Sequence, residues 1–559
     1  MIRPTLTVVC AAALSLCACG AEGDAPHTSM SDASGDTTLD AKPDAAPLEV
    51  TALDGVQVLM SLEGPFDTSA TFFDHPWPSD LRLTPSGGPA MHGLPNPEDI
   101  DLVSSMLDIA AQRPGLPTIP VAWLRFDGPL GDADGELPHP ASSSSSVQLL
   151  DVDPASPRRG ARYPTLVRTL EPDPYVPEHL LAIAPWPGVV LPAGRTYAVI
   201  VTRDHGDALG QPLGVPLALR QLAFDQRPDG ALGAQALETY APLWETLDDL
   251  DLPREAVAAA TVFTVGDVVS ELFAMSEVVR SRHDLTVTDL SVTSAAHPRF
   301  CALSATVTAP AFQRGTPPFD TEGTFALDAD GVPVQQGEAS FPLVLALPRV
   351  AMPAGGFPLV LYFHGSGGVS TQLIDRGPVT VLGGEPTPGE GPAHVLAAHG
   401  LATASSALPV NPERVDGAGA FEYLNFANLA AFRDTFRQGV LEQRLLLDAL
   451  LALEISPEAV AACDGLSLPD GASAYRLSPA PVMAMGQSMG GMYTNMVGAV
   501  EPRLTALVPT GAGGFWSWFI LETELLDAAP LLALLLGTDA ELTFLHPVLH
   551  LLQTAWEPA

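Results

Sequence analysis

The sequence predicts an α/β fold: a central, mainly parallel sheet flanked by helices, preceded by a β-rich domain. Three observations predict it. Short apolar runs bounded by Gly and Pro recur through residues 284–559, the pattern of strands buried on both faces. One of these runs, Pro481-Val482-Met483-Ala484-Met485, leads into Gly486-Gln487-Ser488-Met489-Gly490 and then into the small, helix-compatible stretch Met489 to Val500. Another, Pro358-Leu359-Val360-Leu361-Tyr362-Phe363, leads into His364-Gly365-Ser366-Gly367-Gly368.

In chain order, the N-terminus comes first. Arg3 precedes an apolar run from Leu6 to Ala18, which is as long as a signal h-region and too short to span a membrane as a helix. Leu16-Cys17-Ala18-Cys19 then resembles a bacterial lipobox, so residues 1–18 read as a lipoprotein signal peptide with Cys19 as the lipid attachment point. An ordinary secretory signal is the plainer alternative. Two or more hydrocarbon chains at Cys19 would hold the protein stably at the cell envelope, on the outer membrane or cell surface. Residues 19–50 are rich in Ala, Asp, Ser, Thr, Gly and Pro, have no apolar periodicity, and read as a disordered tether.

Residues 51–283 carry short β-like runs at Gly55–Ser61, Val121–Phe126, Val147–Asp151, His179–Ala184, Thr196–Thr202 and Ala259–Thr264, with Pro and Gly between them. Leu191-Pro192-Ala193-Gly194-Arg195 reads as a turn feeding an alternating strand, as in Ig-like sandwiches. Helical spacing appears at Pro97–Gln112, Leu232–Leu247 and Val268–Arg282. The expectation is a β-rich, Ig-like sandwich domain with added helices, acting as lid, substrate platform or spacer. The second domain, 284–559, opens with Leu285–Thr293, Cys301–Thr308 and Phe341–Leu347 as antiparallel strands. Leu359–Phe363, Ala402–Ala407, Val482–Met485 and Thr505–Val508 form its parallel core, and Ala427–Leu453 a long helix. Helical stretches Phe515–Leu526 and Ala529–Leu536 follow. The Pro-rich 373–390 loop and the 456–477 insert are placed to cover a site mouth.

The two glycine-rich turns carry the chemistry. A G-x-S-x-G match alone is weak in a chain with 49 glycines. Strand, sharp turn and helix around it make a serine nucleophile elbow, which is the mark of an α/β-hydrolase. Ser488 is the nucleophile, and the backbone N–H of Met489, at a helix N-terminus, is one oxyanion donor. The loop one strand–helix–strand unit earlier supplies the second donor, from Gly365, Ser366 or Gly367. The elbow alone also serves peptidases and polyester depolymerases.

Three further stretches resemble the bacterial virulence-factor lipase family, which includes surface lipoprotein lysophospholipases. They are Phe73-Asp74-His75-Pro76-Trp77-Pro78-Ser79-Asp80-Leu81-Arg82, Ala259 to Asp267, and Phe432-Arg433-Asp434-Thr435-Phe436-Arg437-Gln438-Gly439. The resemblance covers most of residues 55–559. It implies a β-rich domain before an α/β-hydrolase domain, and a lipase, lysophospholipase or carboxylesterase activity on an ester or lipid substrate.

One departure stands out. In that fold the acid and the histidine follow the serine in the chain. Downstream of Ser488 the only Asp and His residues are Asp527, Asp539, His546 and His550. His546 precedes a proline and His550 lies in an apolar run, so both read first as packing histidines and only weakly as the base. The expectation is an α/β-hydrolase domain incomplete at its C-terminus, with the triad acid and histidine beyond Ala559. A catalytically incomplete surface lipoprotein with a binding or scaffold role is the alternative.

Composition narrows the partners. The 559 residues carry a formal charge of −39, and Lys42 is the only lysine. Such a balance argues against nucleic acid and against phosphate-rich surfaces, so membrane contact is expected through the lipid anchor only. No Cys/His spacing points to a metal, and no phosphate-cradling loop points to a nucleotide, so no cofactor is expected. Cys301 and Cys463 could pair, though spacing cannot bring them together. Trp516, Trp518 and Phe519 read as core or lid packing, with an acyl-chain site as the sharper alternative.

Overall fold

The computed structural model describes residues 49–131, 138–524 and 527–558. The signal peptide, most of the tether and Cys19 lie outside the described residues. Contacts divide the chain after Glu49, and Val50–Ala559 forms one compact unit.

Its N-terminal half carries seven strands: β1 (Ala122–Arg125), β2 (Val147–Asp151), β3 (Arg162–Tyr163), β4 (Thr165–Thr169), β5 (Leu180–Pro185), β6 (Thr196–Thr202) and β7 (Val257–Thr264). They build two antiparallel sheets, ordered β1-β5-β4 and β3-β2-β6-β7. The alternation expected of β6 is absent from its burial, because every residue after Thr196 is buried. Helices explain this. Among α1 (Asp101–Ala110), α2 (Leu217–Ala223), α3 (Gly233–Asp249) and α4 (Val268–Arg282), α2 and α3 pack on β7. Tyr240 of α3 donates its hydroxyl to the Ala260 carbonyl at 3.0 Å. A sheet covered on both faces has no polar side to display. The run Gly55–Ser61 makes only an isolated bridge, Val58 to Phe126. Gly55, at φ +125°, lies so close to Gly214 that a Cβ would sit 2.7 Å from its nitrogen, which ends any regular strand.

The second half holds a seven-stranded sheet: β8 (Thr286–Ser294), β9 (Phe300–Ala311), β10 (Gly337–Pro348), β11 (Phe357–Phe363), β12 (Ala402–Ser406), β13 (Leu477–Gln487) and β14 (Leu504–Thr510). Their order is β8-β9-β10-β12-β11-β13-β14. β11 pairs in parallel with both β12 and β13, and β13 with β14. From β9 onward this is the α/β-hydrolase order, with the third and fourth strands exchanged in space. α5 (Gln372–Asp375) and α6 (Pro392–Ala397) cover one face around Tyr362 and Val344. α7 (Phe432–Ala452) and α8 (Met489–Val500) cover the other, where the main core lies. Three more helices follow: α9 (Trp516–Glu522), α10 (Ala528–Leu536) and α11 (Pro547–Trp556). α11, which the sequence reading left as an apolar stretch, packs on α1.

The three resembling stretches turn out to be packing devices. Thr264 donates its N–H and its hydroxyl to Asp80, both at 2.7 Å, which joins the first stretch to the second. The Arg82 guanidinium lies 4.1 Å from the Phe72 ring centre and donates to the Phe72 and His75 carbonyls. In the third, Phe432 stacks on Trp556 at 3.9 Å, Arg433 pairs with Asp434, and Arg437 reaches Glu271 at 2.8 Å.

A buried charge cluster pins α4, α7 and α8 together. Arg444 and Glu501, both fully buried at their side chains, pair at 3.2 Å. Arg503 closes on Glu501 at 2.7 Å, and Arg444 also reaches Glu277 at 2.6 Å. Burial opposes ionisation of Glu501, but Arg503 and Arg444 outweigh it and hold the carboxyl down at about 2. Removing one member of a buried pair costs about 3–5 kcal/mol where the partner loses its counter-charge, and because Arg444 keeps Glu277 and Arg503 keeps Asp448 the lower end, about 3 kcal/mol, applies here. Glu501→Gln is expected to lower the unfolding free energy by about that much in urea titration; a loss under about 1 kcal/mol would contradict the argument.

Cys301, at the start of β9, forms a disulfide with Cys463, 162 positions later in the 456–477 insert, with Cα atoms 5.8 Å apart. Closing a loop that long stabilises by roughly 5 kcal/mol in the chain-entropy account. Cys463→Ser should therefore melt well below the wild type, and equal melting temperatures would show that the bridge constrains nothing. The insert itself packs at the N-terminal ends of β11 and β13, where Phe357 pairs with Leu477 and stacks on Tyr475. It lies at the opposite end of the sheet from Ser488 and does not cover the site.

Candidate active site

Ser488 sits between β13 and α8 with φ +56° and ψ −123°, a backbone conformation that a side chain rarely adopts. The fold holds it there. Its N–H donates to the Thr510 carbonyl at the end of β14 (2.8 Å), and its carbonyl receives the first bond of α8, from Met492 (3.1 Å). A Cβ on Gly490 would stand 2.0 Å from the Phe363 carbonyl oxygen, and one on Gly486 would stand 2.1 Å from that of Gly490. Both positions are closed to any side chain, so the glycines of the pentapeptide are set by packing. Met489 begins α8, and the first N–H groups of a helix have no partner inside it.

The upstream loop comes to the same place. β11 lies beside β13 in parallel, so their C-terminal ends meet, and Phe363 pairs with Gly486. A Cβ on Gly365 would fall 2.7 Å from Gln487 Oε1, one residue before Ser488. His364 is fully buried and fixes the loop. Its Nε2 accepts from the Leu408 N–H at 3.1 Å, so Nδ1 carries the proton and donates to the Gly365 carbonyl at 3.0 Å. Burial, helped by Arg414 and opposed by the Gly365 bond, lowers its pKa to about 4. His364 is thus a neutral brace. Glu413 clamps the next turn, taking both the N–H and the hydroxyl of Ser370.

Ser366 and Ser488 line one cleft of about 90 Å³, together with Tyr423, the Gly511–Gly514 turn, Phe515 and Trp516. The Tyr423 hydroxyl lies 2.8 Å from Ser366 Oγ. Tyr423 has no signal in the sequence; it comes from a short 3₁₀ turn, Glu422–Leu424, 65 positions before Ser488.

The downstream candidates lie elsewhere. His546 Nδ1 accepts from the Val548 N–H (3.3 Å), capping α11, and Nε2 faces Asp173 Oδ2 at 3.1 Å. Both ring nitrogens are committed, and Asp173 also receives the Thr538 hydroxyl. His550 is buried edge-on against Trp123, and burial, then Arg113, push its pKa down to about 3. Asp527 precedes α10, and Asp539 is exposed in the following loop. None of the four lines the cleft, and among the described residues no histidine or carboxylate does.

Known proteins add little to this. No family model matches the chain, and no curated protein matches it. Among solved structures, an acetyl xylan esterase from Thermoanaerobacterium aligns at 14% identity over 52% of this chain and 72% of its own, with a TM-score of 0.30. A glucuronoyl esterase from Teredinibacter turnerae aligns at 12% over 41% and 45%, with a TM-score of 0.23. A protein described as an acetyl xylan esterase from Bacteroides fragilis aligns at 9% over 43% of this chain and about half (51%) of its own, with a TM-score of 0.25. Superpositions this loose carry no argument about substrate. The α/β-hydrolase fold rests on this chain's own strand order and elbow.

Proposed function

We propose that this chain is a serine carboxylic-ester hydrolase that acts through an acyl-enzyme on Ser488. The observation that supports it best is the strained Ser488 at the head of α8, with the Gly365–Gly367 loop packed beside it. Ser488 Oγ attacks an ester carbonyl and gives its proton to a base brought to the cleft; the ester C–O bond breaks and the alcohol leaves with that proton, which forms the acyl-enzyme. The Met489 N–H and the Gly365–Gly367 backbone take the charge that develops on the carbonyl oxygen, each donor worth about 3 kcal/mol of barrier. Water then releases the acyl group. A lipid or lysophospholipid ester is the favoured substrate class, on the resemblance of the three stretches described above. The lipobox reading makes the protein an envelope lipoprotein held by Cys19, and the Cys301–Cys463 disulfide suits an oxidising compartment.

A second reading has its own support. Serine is a poor nucleophile without a base, and no described imidazole lines the cleft. On that reading the chain is a surface lipoprotein that binds without turning over. Fluorophosphonate labelling of the purified Cys19–Ala559 protein, with the modified residue located by mass spectrometry, separates the two. Labelling at Ser488 supports the hydrolase. A folded sample that stays unlabelled overturns it in favour of the binding role.

A further inference from the structure

The cleft over Ser488 offers about 90 Å³. Sites that bury a small molecule offer about 300–1,000 Å³. The cleft can therefore hold a reacting ester group and little more, and the rest of any substrate has to lie beyond it.

One wall of the cleft leads to such a space. Trp516 and Phe519 of α9, with Phe515 just before it, face Ser488. Trp518 and Leu521 of the same helix face a second cavity of about 310 Å³. Helical spacing puts these two sets on opposite faces, so α9 stands between the two spaces. Phe515 connects the two spaces. It lines the cleft, and its ring packs 5.0 Å from Phe544 and 6.1 Å from Trp518, which line the second cavity. The far wall comes from the N-terminal half of the chain: Leu166 of β4 and Trp186 just after β5.

We propose that this second cavity is the acyl-chain pocket of the hydrolase read above, with Phe515 as the partition between chain and reacting carbonyl. The inference rests on that reading. Its occupant is a neutral, unbranched chain of medium length, since about 310 Å³ lies at the lower end of the usual pocket volume. The walls are aromatic and leucine side chains. Of the charged residues that line it, Arg168 pairs with Glu541 at 3.5 Å and Glu522 leaves one carboxylate over, which disfavours an anionic occupant. The Thr543 hydroxyl is already engaged by the Leu545 N–H, so the remaining polar side chains of the lining are Arg168, Glu522 and Glu541. A chain carrying −39 also repels an anionic ligand. Trp518, which is 40% exposed on a short helix, gains a reason to be there. The N-terminal sheets become part of the substrate site.

Calorimetric titration with 1-octanol tests the pocket without turnover. Saturable binding is expected in the wild type and in Ser488→Ala, weakened at least tenfold in Leu542→Glu and in Trp518→Ala, with circular dichroism confirming that each variant is folded. In the ester assay, the kcat/KM ratio of p-nitrophenyl octanoate to acetate should fall about tenfold in the same two variants, mainly through KM. No octanol binding in the wild type, or equal binding in both variants, overturns the pocket. Ester turnover that survives in Ser488→Ala overturns the serine assignment instead, so the two failures are told apart.

Discussion

Replacing Ser488 with alanine is expected to lower ester turnover by about 10⁶ and to leave the fold intact. The magnitude is that of losing the attacking atom of a serine hydrolase. The fold should survive because no described residue hydrogen-bonds to Ser488 Oγ. The bonds that hold position 488 are made by its backbone, to Thr510 and from Met492. Alanine keeps both, and it carries the same Cβ into the φ +56° conformation. Thermal melts of the two proteins should coincide within about a degree while turnover and fluorophosphonate labelling disappear. Turnover within tenfold of the wild type would remove Ser488 from the chemistry. A collapsed melt would mean that the hydroxyl is structural.

Mild acid is expected to unfold the protein, with the loss beginning below pH 6.5. Three histidines are buried in the neutral form. Burial and then Arg82 lower the pKa of His75 to about 3, burial and then Arg113 lower His550 to about 3, and burial lowers His364 to about 4. In the unfolded chain each titrates near 6.5. Between 6.5 and about 4 the unfolded state therefore binds three protons that the folded state refuses, so stability rises with pH across that window and falls as pH drops through it. Each group contributes about 1.4 kcal/mol per pH unit, and the three together about 4 kcal/mol per unit. A domain with a net stability of about 5–15 kcal/mol loses most of it within a few units. Glu501 adds to the loss only further down, between 4.5 and about 2. Urea titrations at pH 7.5, 6 and 5 should show the fall, and His550→Gln should flatten the slope by about a third. Stability that is flat or rising toward pH 5 would mean that these imidazoles are not held neutral.

Much of the fold was legible because burial writes itself into strands. The parallel core strands β11, β12 and β14 match the apolar runs read at Leu359–Phe363, Ala402–Ala407 and Thr505–Val508 to within two residues at each end, and β13 contains Val482–Met485 but begins five residues earlier. α4 matches Val268–Arg282 at both ends. Gly55–Ser61 misled because its apolar residues pack without a partner strand, and sequence cannot register the approach of Gly214. The 456–477 insert misled because composition says that a segment is a surface loop and not which end of the sheet it crosses.

The two edges of the large sheet show the same limit. β8 is polar and bulged, as an exposed edge should be. β14 is apolar in sequence, yet Leu507 and Val508 are exposed on it, and Leu531 and Leu534 are exposed on α10. The sequence alone marks β14 as an interior strand; only its pairing on one side, to β13, reveals an open edge.

By itself the sequence determined the elbow turn at Ser488, the glycines around it and the loop that faces it, because each depends on local backbone geometry: a turn too tight for a Cβ, a strand end, a helix start. Tertiary structure alone decided the rest. It tied His546 to Asp173, 373 positions away, and set His550 against Trp123. It joined Cys301 to Cys463 and brought Tyr423 to Ser366. These are contacts between distant segments, fixed by which faces the folded chain buries together, and no local pattern encodes that choice.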